Sequence, residues 1–132
     1  MQGMNKTAKD LVGEAKTQVE NLSPQQVADE LSRGDILLVD LRDAEELREH
    51  GSIAQAIHVP RGMLEFRADP TSPYHREELR PERRVILHCA SGGRSALAAK
   101  TLQEMVYQNV AHLDGGLKAW KESGQPLEQV EA

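Results

Sequence analysis

Aromatic residues make up 3% of this 132-residue chain, with one Trp, two Tyr and one Phe. Interleaved aromatic platforms for stacking nucleobases are therefore excluded, and the core has to be assembled from Leu, Val, Ile, Ala and Met around Trp120. There is one cysteine, Cys89, which rules out an internal disulfide or a CxxC redox pair and fits a reducing compartment. No apolar run approaches the ~18 residues of a membrane span, and the N-terminus lacks the apolar centre of a signal peptide, so a cytoplasmic protein without a membrane partner is expected. The excess of 21 acidic over 16 basic residues gives a net charge of −5 and leaves no basic run to grip nucleic acid. The five histidines (His50, His58, His75, His88 and His112) lack metal-ligand spacing, so no metal or other cofactor is expected, and they are read as structural or exposed.

What the chain does contain is organised around Val85-Ile86-Leu87-His88-Cys89-Ala90-Ser91-Gly92-Gly93-Arg94-Ser95. An apolar, β-branched run ends at Cys89, and strong helix formers start at Ser95, so the cysteine stands where a buried strand hands over to a helix. The first N–H groups of a helix lack internal partners and face whatever lies ahead of them, and glycines let successive amides converge on one anion. Gly92 and Gly93 supply that freedom, and Arg94 adds a permanent charge. This arrangement favours a thiolate and marks Cys89 as a nucleophile rather than a buried apolar side chain. Adjacent strand residues face opposite ways, so His88 is expected to point away from the cysteine sulfur.

Elsewhere the pattern alternates strand and helix. Leu11, Val12, Ala15, Val19 and Leu22 recur at helical spacing and predict an amphipathic helix between Asn5 and Asn21, packed on the body or, alternatively, serving a partner or a homodimer contact. Ser23-Pro24 starts a helix that Gly34 ends, Ile36–Val39 reads as an inner strand, and Asp43 caps a short helix stopped at Gly51. Ile57–Val59 and Asn109–Leu113 read as further strands, and Asp114-Gly115-Gly116 as a tight turn into a last helix holding Leu117 and Trp120. Asp40 and Arg42 fall at a strand's carboxyl end, where open α/β sheets place their sites. They are candidates for supporting the cysteine loop.

Cys89-Ala90-Ser91-Gly92-Gly93-Arg94-Ser95 resembles the active-site loop of the rhodanese family of sulfurtransferases. Leu38-Val39-Asp40-Leu41-Arg42-Asp43-Ala44-Glu45-Glu46 resembles the family's upstream signature, and His112 to Trp120 followed by Gly124-Gln125-Pro126-Leu127 its C-terminal one. The resemblance implies an α/β fold: a rhodanese-like open parallel β-sheet flanked by helices on both faces, with an N-terminal helical extension over 1–22 and the domain over 23–132. Met1-Gln2-Gly3, ahead of Met4, are set aside as an artificial leader. The chain departs from the family at Gly51-Ser52-Ile53-Ala54-Gln55-Ala56, where Ser52, Ala54 and Gln55 replace the usual His, Pro and Gly. Near the pocket mouth that the resemblance implies, Arg61 is a candidate for steering an anionic sulfur donor.

The expected chemistry is thiosulfate-type sulfur transfer through a Cys89 persulfide, passed to cyanide or an external thiol, with Ala90, Ser91, Gly92, Gly93, Arg94 and Ser95 forming the anion-binding loop. The alternatives are a regulatory or sulfur-carrying module and a cysteine-dependent phosphatase or arsenate reductase. Cys89 and Arg94 enclose four residues. The phosphatase loops this one also resembles enclose one more, and the smaller bowl suits one extra sulfur atom better than a tetrahedral phosphoryl group.

Overall fold

The computed structural model describes residues 5–129, so Met1–Gly3 lie outside the described residues. Five parallel strands form one sheet: β1 (Glu20–Leu22), β2 (Leu37–Asp40), β3 (Ile57–His58), β4 (Val85–His88) and β5 (Val110–Leu113). Their spatial order is β1-β5-β4-β2-β3, with β4 at the centre. The helices are α1 (Ala8–Lys16), α2 (Pro24–Arg33), α3 (Ala44–His50), α4 (Leu64–Ala68), α5 (Gly93–Glu104) and α6 (Gly116–Glu122), with a 3-10 turn at Arg61–Met63.

Side-chain alternation along the inner strands builds two cores. Leu37, Val39, Val85, Leu87 and Val110 face Leu64, Ala98, Ala99 and Leu102 of α4 and α5. Leu38, Ile86, Ala111 and Leu113 face Val27 of α2 and Leu117 and Trp120 of α6 on the other side. Every residue of β2, β4 and β5 is buried, which is why these strands read as continuous apolar runs. The sheet with helices on both faces is the expected α/β fold.

The N-terminal helix is shorter than its periodicity predicts. It is opened by a capping box between Thr7 and Asp10 and ends at Lys16, and the chain then turns so that Glu20–Leu22 pair with Ala111–Leu113. Val19 and Leu22 are buried, but Val19 in the bend before the edge strand and Leu22 within that strand, not on a helical stripe. Three residues of strand carry too little pattern to be seen locally; the partner strand some ninety positions away creates them. Helix α1 lays Ala15 against the body beside α5, while Leu11 stays exposed.

The departure between Gly51 and Ala56 from the pattern of the family the sequence resembles has a simple local solution. Ser52 exchanges two backbone hydrogen bonds with Glu128 (2.9 and 2.8 Å), Ile53 is buried, and Ala56 N–H closes a turn on the Ile53 carbonyl at 3.0 Å. The C-terminal tail holds this loop where a proline is missing.

Candidate active site

The loop after β4 is shaped from both sides. Within it, Gly92 adopts φ +104°, a left-handed conformation that turns its N–H inward. Behind it, the turn into α6 supplies a backbone clamp: Leu117 N–H donates to the Cys89 carbonyl at 2.9 Å and Lys118 N–H to the Ala90 carbonyl at 3.0 Å. With its carbonyls held outward, the loop points its amides the other way. Gly116 makes this approach feasible, because a Cβ there would stand 2.6 Å from the carbonyl oxygens of Cys89 and Ala90.

The amides converge on sulfur. Gly92 N–H donates to Cys89 Sγ at 3.2 Å and Ser95 N–H at 3.4 Å, and the Ser95 hydroxyl oxygen lies 3.7 Å from the same atom. Cys89 is 1% exposed, so these contacts act in a dry setting where fixed dipoles count for more than in water. Ser91 sits exposed on the outer bend, and Gly93 packs near Val12 of α1. Ala90 forms part of the wall of a cleft of about 350 Å3, shared with Arg42, Glu46, Leu117, Lys118 and Lys121.

Arg94 is not turned on the sulfur. Its two terminal nitrogens each donate to one oxygen of Glu46, at 2.9 Å, in a bidentate pair between α5 and α3. The Arg94 guanidinium, helped by the Asp43 backbone N–H, holds the Glu46 carboxyl at about 2 against burial that works the other way. The guanidinium is stabilised in its charged form in return. The loop charge expected for the thiolate is thus largely answered by α3. In the sequence Glu46 stands only as the last residue of the upstream motif; the structure makes it the acidic partner in the Asp43 capping box, and its pairing with Arg94 depends on where α3 docks.

Asp40 and Arg42, the candidates for loop support, are placed together as a buried pair at the end of β2. Arg42 donates to both Asp40 oxygens (Nε at 3.0 Å, Nη2 at 2.8 Å) and to the Gly51 carbonyl at 2.8 Å, and both side chains are 1% exposed. Burial pushes the Asp40 carboxyl up, but Arg42 and His88 outweigh it and hold it below the usual range. His88 lies against Asp40, with Nε2 3.5 Å from Oδ2, and not against the thiol. Its Nε2 makes no hydrogen bond, and burial lowers the ring's proton affinity. Arg61 departs from expectation. It pairs with Glu65 at 2.9 Å, one turn along its own segment, and is not part of the cleft wall. An (i, i+4) partner close in sequence wins over a pocket that lies across β2 and β4.

His112, grouped with the structural histidines by sequence, meets the site from β5: it is fully buried, with Nδ1 2.8 Å from Ser95 Oγ. Alternation along β5 puts His112 on the α5 face, but only the pairing of β5 beside β4 brings it to the loop. Among the described residues no helix is long and apolar enough to cross a membrane.

The family model described as the rhodanese-like domain matches residues 23–123. A sulfurtransferase of Allochromatium vinosum is 34% identical over 93 residues, covering 70% of this chain and 78% of that protein. Other curated relatives are longer, this chain spanning 40% and 25% of two of them. Among solved structures, a Rhodopseudomonas palustris protein of unknown function, described as a possible tyrosine phosphatase, superposes with a TM-score of 0.88 at 37% identity, covering 97% of this chain and 98% of that one. The polysulfide-sulfur transferase homodimer of Wolinella succinogenes superposes with a TM-score of 0.75 at 32% identity, covering 93% and 88%. The family match over residues 23–123, together with the likeness to these two sulfur-transferring proteins, places this chain in the rhodanese-like sulfurtransferase family.

Proposed function

We propose that this protein moves sulfane sulfur from a small anionic donor of the thiosulfate type to an external thiol or cyanide. The Cys89 thiolate attacks the outer sulfur of the donor, the sulfur–sulfur bond breaks, and sulfite leaves with the electron pair. Cys89 then carries a persulfide, which an acceptor nucleophile attacks at the outer sulfur, releasing the Cys89 thiolate. With one cysteine in the chain, no internal thiol resolves the persulfide, so the acceptor comes from outside.

One observation carries this reading: the amides of Gly92 and Ser95 aim at the cysteine sulfur itself, at 3.2 and 3.4 Å. A cradle closed that tightly on sulfur is suited to hold a sulfur anion before and after it gains one atom. Lys118 and Lys121 at the neighbouring cleft favour anionic donors. The description of the R. palustris structure keeps a phosphatase reading in view. Phosphoryl transfer, however, needs donors around three equatorial oxygens, and here the guanidinium fork of Arg94 is engaged by Glu46 rather than by the bowl.

Mass spectrometry of the intact protein before and after thiosulfate tests the proposal. A gain of one sulfur on Cys89, removed by cyanide and absent in Cys89→Ser, is expected. No gain from thiosulfate or polysulfide, alongside turnover of an aryl phosphate, would replace sulfur transfer with the phosphatase reading.

A further inference from the structure

A chain of hydrogen bonds runs from the nucleophile to the N-terminal edge of the sheet. Ser95 Oγ lies 3.7 Å from Cys89 Sγ and 2.8 Å from His112 Nδ1, and His112 Nε2 lies 2.7 Å from Asn21 Oδ1. The direction of every link follows from Asn21. Its Nδ2 donates to the Lys16 carbonyl at 2.9 Å and the Val19 carbonyl at 3.1 Å, so the oxygen of the amide is what meets the imidazole. An amide oxygen only accepts, hence Nε2 carries a hydrogen. In the neutral ring Nδ1 is then a bare lone pair, and the Ser95 hydroxyl donates to it. The competing acceptor for that hydroxyl, the Gly92 carbonyl, is farther away at 3.3 Å. With its hydrogen committed to His112, the Ser95 oxygen presents only lone pairs toward Cys89, so the thiol S–H donates to it.

We propose that Ser95 and His112 form a relay that takes the proton from Cys89 and so prepares the thiolate. The S–H bond breaks as an O–H bond forms on Ser95, and the original Ser95 O–H bond breaks as an N–H bond forms on His112 Nδ1. One proton leaves sulfur and one arrives at nitrogen. No oxidant or further reactant is involved. Afterwards the Ser95 hydroxyl donates to the thiolate, adding a third donor to the two amides, and both ring N–H groups are bonded, Nδ1 to Ser95 and Nε2 to Asn21. His112 acts through Ser95 and is a positioning residue that also receives the proton.

The groups around His112 keep its ring neutral at rest. Lys16 from α1 and Asp114 from the end of β5 are paired with each other at 2.8 Å, which leaves little net charge facing the ring, and Asn21 from β1 is neutral. Burial, with Asp114 and Lys16 acting in opposite senses, brings the imidazole down to about 4, so its Nδ1 lone pair is open at neutral pH. The imidazolium is formed only together with the thiolate it answers. Nothing in the linear sequence joins Asn21, Ser95 and His112; the pairing of β1 with β5 and the docking of α5 do.

The inference rests on Cys89 being the sulfur-accepting nucleophile of the proposed function, and its test is independent of sulfur transfer. Iodoacetamide modification of Cys89 is followed from pH 6 to 9.5 in the wild type, His112→Asn, Ser95→Ala and the double variant, with circular dichroism to confirm folding. The asparagine can still accept from Ser95 but cannot take up a proton. Each single variant is expected to react more slowly at neutral pH, on the order of ten- to hundredfold. The rates should converge at the alkaline end, where hydroxide ionises a thiol unaided, and the double variant should be no slower than the slower single one. Slowing by the same factor at every pH, wild-type rates at neutral pH, or multiplying effects in the double variant would overturn the relay. Should His112→Asn not fold, Ser95→Ala against the hydroxyl-retaining Ser95→Thr decides, since only the latter is expected to keep the neutral-pH rate. A relay-dependent thiol that gains no sulfur from thiosulfate would retain this inference while removing the sulfurtransferase reading.

Discussion

At the scale of single residues, the site is a set of charges already answered by one another. The Arg94–Glu46 pair has a clear linkage consequence. The Glu46 carboxyl sits at about 2 in the folded protein, against 4.5 for a glutamate free in water. Between those values the unfolded chain binds a proton that the folded one does not, so the pair's contribution is complete above about pH 5 and is lost as pH falls toward about 2. Arg94 is 38% exposed and Glu46 28%, so solvent screening reduces the contribution to about 1 kcal/mol. Glu46→Gln is therefore expected to be less stable than wild type by that amount at neutral pH. The gap should shrink steadily in urea unfolding between about pH 5 and pH 3. A gap that stays constant over that range would mean that packing, not charge, is what Glu46 contributes.

At the scale of elements, the N-terminal turn of α6 holds the cysteine loop. Gly116, at φ +61°, would bring a Cβ within 2.6 Å of backbone atoms of Cys89 and Ala90. Backbone cannot rotate out of the way as a flexible side chain can. Gly116→Ala is expected to lower stability by about 2–3 kcal/mol and to slow Cys89 alkylation, because separating the turn from the loop releases the carbonyls that orient the amides. Full stability and full thiol reactivity in that variant would show that the clamp is not needed. The other end of α5 stores strain of its own. Val106 stands at φ +64° just past the helix, a left-handed position at which glycine is usual and a β-branched side chain is strained. It is 68% exposed, so little packing is lost by trimming it. Val106→Gly is expected to stabilise the protein by about 1 kcal/mol, or about 4 °C in Tm by differential scanning calorimetry. A lower Tm would mean that the exposed isopropyl group packs better than its accessibility suggests.

At the scale of the whole molecule, stability and chemistry occupy opposite ends of the strands. The site lies beyond the carboxyl ends of β2 and β4. At the amino ends, Arg84 binds Glu30 through two nitrogens at 2.9 and 2.7 Å and reaches Glu20 and Asn109, both at 2.8 Å. One side chain thus ties the entries of β4 and β5 to β1 and α2. Arg84 is 14% and Glu30 17% exposed, enough burial for the network to exceed an ordinary surface pair. Arg84→Ala is expected to cost about 1–3 kcal/mol in chemical unfolding, since it leaves the part-buried Glu30 carboxylate unpaired. The thiol of the folded variant should react at the wild-type rate. A changed alkylation rate would show that the two ends communicate.

The sequence by itself determined the strand-to-helix handover at Cys89, the glycines that let the loop curl, the capped helices at Ser23 and Asp43, and the inner strands. Each of these is encoded locally, by an apolar run, a cap or a residue with special backbone freedom, and a local pattern survives whatever the rest of the chain does. Only tertiary structure decided that Glu20–Leu22 would be a strand, that Arg94 would face Glu46 and that His112 would reach Ser95. These outcomes depend on which strands pair and how α3 and α5 dock on them. Parallel pairing joins segments far apart in the chain, and the direction in which a charged side chain turns is set by the partner it meets there, a quantity no window of neighbouring residues contains.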